Sequence, residues 1–203
     1  MAFIEDDFDV TVKPSTGEFE IAAQGAQTAT IVWMIHLGLK KNEQYGTEDQ
    51  TLLMFYELPD DVMMKGESAG KPKMINHFVK IKTGKSSAGA PSTLRGIINA
   101  AEKHNLTDEE VAAYKIYDLV GKSVQLNIVH QKSKKRDGME AKITTNGVSA
   151  LHKSIVVPAP VTPLKKLYLP KFNQEVFNGL PEWVKKFVNL DEVPVELRAK
   201  VDF

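Results

Sequence analysis

The sequence has no cysteine, which excludes a disulfide framework, a thiolate metal site and a cysteine nucleophile. It also lacks long apolar runs. The most hydrophobic stretch, Ala29 to Leu39, is broken by Thr30 and His36 and falls well short of the ~20 residues that cross a bilayer. Residues 1–10 are acidic, without the basic-then-apolar order of a secretory signal, so no membrane association is expected. Enzyme signatures are scarce. Gly84-Lys85-Ser86 and Gly121-Lys122-Ser123 resemble the end of a phosphate-binding loop, but the position that must be glycine is Val79 in one and Ile116 in the other. His36, His77, His104, His130 and His152 form no pair at metal-ligand spacing. Asp60-Asp61 and Asp108-Glu109-Glu110 are carboxylate groups of the kind that hold a hard cation, but a loop end and a helix first turn account for them with less effort. No catalytic residues, metal or cofactor are expected.

Net charge is missing as well: 26 Lys and Arg balance 26 Asp and Glu. The balance hides strong segregation. Residues 1–20 carry six acids against Lys13, and residues 43–67 carry seven against Lys65. Residues 71–95 then hold Lys71, Lys73, Lys80, Lys82, Lys85 and Arg95 with no acid at all. Residues 102–118 return to acid, and residues 121–153 bring Lys122, Lys132, Lys134, Lys135, Arg136, Lys142 and Lys153 against Asp137 and Glu140. Two acid-poor windows in strand-like segments point to one anion-binding face.

Period-2 patterning predicts strands over Thr28–Leu39, Met74–Lys82 and Lys122–Gln131; an apolar run predicts one over Thr51–Leu58, and Met139–Leu151 returns as a fifth after the turn at Lys132–Gly138. In the first, Ala29, Ile31, Trp33, Ile35, Leu37 and Leu39 share a face. In the third, Ile75, His77, Val79 and Ile81 face inward, while Met74, Asn76, Phe78, Lys80 and Lys82 face outward. Between the third and fourth strands, Ser92–His104 has an N-cap and apolar residues at helical spacing, and Thr107-Asp108-Glu109-Glu110 is a capping box for a second short helix. The order implies a mainly β fold with a helical insertion: a five-stranded OB-fold Greek-key barrel with its helix between strands 3 and 4. Three segments follow: an acidic one (1–27), the barrel (28–155), and a Pro-rich linker with a helical tail (156–203). Pro158, Pro160 and Pro163 extend the chain away from the barrel. Val176, Phe177, Leu180, Trp183, Val184 and Phe187 then repeat at near-helical spacing, so the tail helix must dock on the barrel or on a partner.

Recognition of unpaired nucleic acid needs cations for phosphates and aromatic faces for bases. The third strand offers both on one face, with Phe78 flanked by Asn76, Lys80 and Lys82. Either Phe55 or Tyr56 stands beside it, the other belonging to the core. Trp33 reads as core, and Tyr45 as a stacking residue in the loop after the first strand. Lys73, Lys80, Lys82 and Arg95 from one basic window, and Lys132, Lys134, Lys135 and Arg136 from the hairpin after the fourth strand, are the candidate phosphate contacts. The competing interpretation is a protein-interaction or virion-structural module that uses the barrel and the Trp183 helix.

Several landmarks carry a resemblance. They are Leu119-Val120-Gly121-Lys122-Ser123-Val124-Gln125-Leu126-Asn127-Ile128-Val129-His130 with the basic turn and Ala-Lys-Ile strand after it, Tyr56-Glu57-Leu58-Pro59, Ser92-Thr93-Leu94-Arg95, the Thr107 cap, and Glu175 to Trp183. In this order they resemble bacteriophage single-stranded DNA-binding proteins. The resemblance implies an OB-fold protein that coats single-stranded DNA during phage DNA replication, repair or recombination, in the cytoplasm of an infected bacterium, without catalysis. In the broader class an acidic tip with a terminal Phe recruits replication proteins. Here Asp202 and Phe203 follow Arg198 and Lys200, a departure that weakens the case for recruitment through the tail.

Overall fold

A computed structural model describes residues 20–42, 46–85, 89–133 and 137–198. Six strands form one sheet: β1 (Gly25–Asn42), β2 (Thr47–Val62), β3 (Pro72–Lys80), β4 (Ser123–Lys132), β5 (Met139–Ser149) and β6 (Lys165–Leu167). Five strands are antiparallel neighbours in the order β3-β2-β1-β4-β5, and β6 joins β1 in parallel. α1 (Thr93–Glu102) and α2 (Asp108–Ala113) lie between β3 and β4. The chain is therefore mainly β with a helical insertion after the third strand. The sheet curls, bringing its two end strands β3 and β5 close together, and α1 packs against both. Among the described residues no helix is long and apolar enough to cross a membrane.

The insertion is held by the caps its sequence encodes. Ser92 Oγ accepts the Arg95 backbone N–H and donates to the Lys82 carbonyl, fastening the helix start to the end of β3. At α2, Thr107 Oγ accepts from the Glu110 N–H and the Glu110 carboxylate accepts from the Thr107 N–H.

The sheet has an apolar cluster on each face. Inside lie Ala29, Ile31, Met34, Leu52, Met54, Tyr56, Ile75, Val79, Val124, Leu126 and Ile128, closed by Leu94, Ile97 and Ile98 of α1. Outside lie Val32, Ile35, Leu37, Leu53 and Phe55. The single-face pattern expected for β1 fails because its register with β2 shifts between Ile31 and Trp33, and again between His36 and Gly38. Each shift inserts a residue and turns the following side chains to the other face.

The C-terminal segment covers the outer cluster. β4 accompanies β1 only over Gly25–Thr30; where it departs, β6 takes the vacated edge opposite Trp33–Ile35. The Pro-rich segment does not lead away from the sheet. The buried Glu57 carboxylate accepts backbone N–H groups from Val161 and Thr162 at 2.8 and 2.7 Å, strapping the segment down. Beyond β6, the expected single tail helix is two short ones, α3 (Gln174–Asn178) and α4 (Glu182–Lys185), separated by Gly179-Leu180-Pro181, followed by α5 (Val195–Arg198). Pro181 has no N–H to continue α3 and serves as the N-cap of α4. Leu167, Leu169, Phe172, Phe177, Leu180, Val184, Val188 and Val193 are buried on the sheet. At about 1.5–3 kcal/mol for each fully buried apolar side chain, the segment is an integral layer of the fold.

Candidate functional site

The outer face of β3 keeps its period-2 exposure: Asn76, Phe78 and Lys80 are exposed, as is Lys82 just past the strand's end, while Ile75 and Val79 are buried beneath them. Phe78 lies opposite Leu53 of β2, and Asn76 opposite Phe55, which in turn pairs with Trp33 of β1. The C-terminal layer completes this surface with Trp183 of α4 and Phe187 just after it. Trp33 and Phe55 have ring centroids 4.9 Å apart, Phe55 and Trp183 5.8 Å, Trp183 and Phe187 6.2 Å, and Phe187 and Phe78 5.4 Å. A continuous row of five rings thus crosses β1, β2, the C-terminal layer and β3. Its solvent-facing members are Phe78, 47% exposed, and Trp183, 43% exposed.

Cations flank the row at both ends. Lys165 of β6 places Nζ 4.5 Å from the centre of the Trp33 ring and donates to the Gly179 carbonyl. The Trp33 indole N–H donates to the Pro163 carbonyl at 2.9 Å, fixing the ring's orientation. At the other end, Lys80 Nζ is 2.7 Å from the Asp49 carboxylate, which also accepts Lys82. These two lysines hold the Asp49 carboxyl below the usual carboxylate range. Such an arrangement presents flat apolar faces and positive charge side by side, the combination that stacks bases and tracks phosphates.

The other sequence candidates divide. Tyr56 is fully buried in the inner core, where burial pushes its hydroxyl pKa upward, and it cannot meet a ligand. Phe55 has the outward orientation but is only 6% exposed, because Trp183 lies over it; it supports the row from beneath. Trp33 is not in the inner core but partly buried against the outer cluster. Lys73 is nearly buried, 2.8 Å from Asp61 and 4.0 Å from Glu20, so its charge is spent within the fold. Arg95 is 4% exposed, and its guanidinium donates to the Leu106 carbonyl at 2.8 Å and the Thr83 carbonyl at 3.4 Å while contacting Asp108. It is a structural tie between the β3 end, α1 and α2.

Lys132 is exposed at the end of β4. Its hairpin stands near β3, since Glu140 and Ala141 of β5 and Met74, Ile75 and Asn76 of β3 line one cleft of about 240 Å³. Tyr45, Lys134, Lys135 and Arg136 lie outside the described residues.

Sequence reasoning missed Trp183, Phe187 and Lys165. The four-residue spacing of Trp183 and Phe187 was visible, but not the face on which their helix docks. Comparison of the chain with protein-family models and with curated proteins gave no match.

Proposed function

We propose that this protein binds single-stranded DNA through the outer face of β3 and the C-terminal layer, without sequence preference and without catalysis. The observation that carries the proposal is the row of rings that exposes about half of Phe78 and of Trp183 and runs between Lys80 and Lys82 at one end and Lys165 at the other. Every base has a π-face, so stacking on such a row tolerates any sequence. The strand order, the helix after β3 and the approach of β3 to β5 support an OB-fold barrel, in which the β1–β2 and β4–β5 loops flank the ligand face. Lys132, exposed at the end of β4, then adds a cation beside the β3 edge. A role in coating single strands during phage replication, repair or recombination follows from this reading together with the resemblance. The protein-interaction alternative drew on a tail helix in search of a partner, and that helix is docked on its own sheet.

Both tryptophans of the chain, Trp33 and Trp183, belong to the row, so titration with oligo-dT should quench intrinsic fluorescence. Phe78→Ala should weaken binding by ~1–3 kcal/mol, one stacked base. Its melting temperature should move little, because half of the ring is already in water. Unchanged affinity in a folded Phe78→Ala variant would remove β3 from the site.

A further inference from the structure

Asp49 is the anion that sits among the candidate cations. It lies on β2, paired in register with Lys40 of β1, and its carboxylate is nearly buried at 6% exposure. The two cations it holds are not buried: the side chains of Lys80 and Lys82 are 49% and 59% exposed. Lys80 and Phe78 are two residues apart on the same face of β3, a separation of about 7 Å along the strand. A backbone phosphate next to a base stacked on Phe78 therefore meets ammonium groups already bound to an anion that is fixed in the sheet and cannot diffuse away.

Two lysines and one carboxylate present a net single positive charge where the lysines alone would present two. A phosphate that engages both must share them with Asp49, so each contact forms at a discount and breaks easily. We infer that Asp49 is a built-in competing anion that limits affinity for single-stranded DNA at the Lys80–Lys82 end of the row and keeps binding reversible. This inference rests on the assignment of the outer face of β3 to single-stranded DNA. Asp49 would act through the two lysines and not touch the ligand itself.

The test is the salt dependence of oligo-dT affinity for the full chain, the Asp49→Asn variant, the Lys80→Gln/Lys82→Gln variant and the variant with all three substitutions. Asn keeps the shape of Asp and removes its charge. Asp49→Asn should bind roughly three- to tenfold tighter at low salt, and its log–log salt slope should steepen by roughly 0.7, the contribution of one further neutralised phosphate on a single strand. With both lysines replaced, Asp49→Asn should no longer change the slope. A purely structural role for Asp49 would not move the slope. The Lys80→Gln/Lys82→Gln variant retains Asp49 and gives a second reading that stands even if the Asp49 variants fail to fold. It should lose a slope of roughly 0.7, whereas a loss of roughly 1.4 would show two uncompensated contacts and overturn the inference. Equal or weaker binding by folded Asp49→Asn, at an unchanged slope, would also overturn it. If the unsubstituted protein fails to bind oligo-dT at low salt, the assignment of the face is itself wrong, and the role of Asp49 falls with it.

Discussion

Replacing Arg95 separates two accounts of a residue that lies in the most basic stretch of the sequence yet is buried in the fold. Arg95→Met keeps most of the stem and removes the guanidinium. The Leu106 carbonyl, accepting at 2.8 Å in a buried setting, would lose its donor, at a cost of about 1–3 kcal/mol. The Thr83 carbonyl accepts at 3.4 Å, a longer and weaker bond, and contributes less. Asp108, 70% exposed, is screened by water, and its ion pair adds nothing to the figure. The sum is about 2–4 kcal/mol. For a chain of this size that corresponds to a fall in melting temperature of about 4–16 °C. Urea and thermal melts measure the loss; oligo-dT titration well below the midpoint measures affinity, which should stay within about twofold of the parent. A variant of parental stability with strongly weakened binding would refute the structural role and return Arg95 to the DNA contacts.

Gly38 has φ of 79°, and a Cβ there would stand 2.5 Å from Glu192 Oε1 and 2.9 Å from Asn189 Cβ. Gly38→Ala should therefore push the 189–192 turn off β1, breaking the Leu39 N–H and Gln50 bonds to Glu192, and destabilise the chain by about 1–3 kcal/mol. An unchanged urea midpoint would contradict the close packing of the C-terminal layer. A pH series tests the Glu102 cluster. Lys122, and then the Tyr114 hydroxyl, hold the Glu102 carboxyl below its usual range. A depressed folded-state pKa contributes stability above about pH 4, lost as pH falls through the folded value. Lys122→Met should thus be less stable than the parent at neutral pH, with the gap narrowing in acid; a gap independent of pH would dismiss the cluster.

The inner half of the fold was legible because its signals are local. Alternation in Met74–Lys82 needs only the neighbouring residues to be read, and Phe78, Lys80, Asn76 and Lys82 are exposed on the face that pattern assigns. Ser92 and Thr107 cap their helices as their spacing dictates. The outer half was not legible, because its causes are long-range. The register shift between Ile31 and Trp33 moves Ile35 and Leu37 to the outer face beside Val32, and no single-strand pattern announces a bulge. Both faces of β2 are apolar because a second layer, more than a hundred residues later, covers one of them. Three closely spaced prolines read as a departing linker; the Glu57 carboxylate that turns them into a strap lies more than a hundred residues upstream. For Arg95 and Lys73, composition revealed the charge but not the partners, Asp108 and Asp61, that absorb it.

In the proposed function, half-exposed rings and lysines on the outer face of β3 and the C-terminal layer hold unpaired bases and their phosphates. The most direct measurement compares binding of one oligonucleotide as a single strand and as a duplex, at about 50 and 200 mM salt. Single-strand binding should weaken steeply between the two salts, and duplex binding should be far weaker, because paired bases offer no free face to Phe78 and Trp183. Equal affinity for single strand and duplex, or single-strand affinity that ignores salt, would contradict that function.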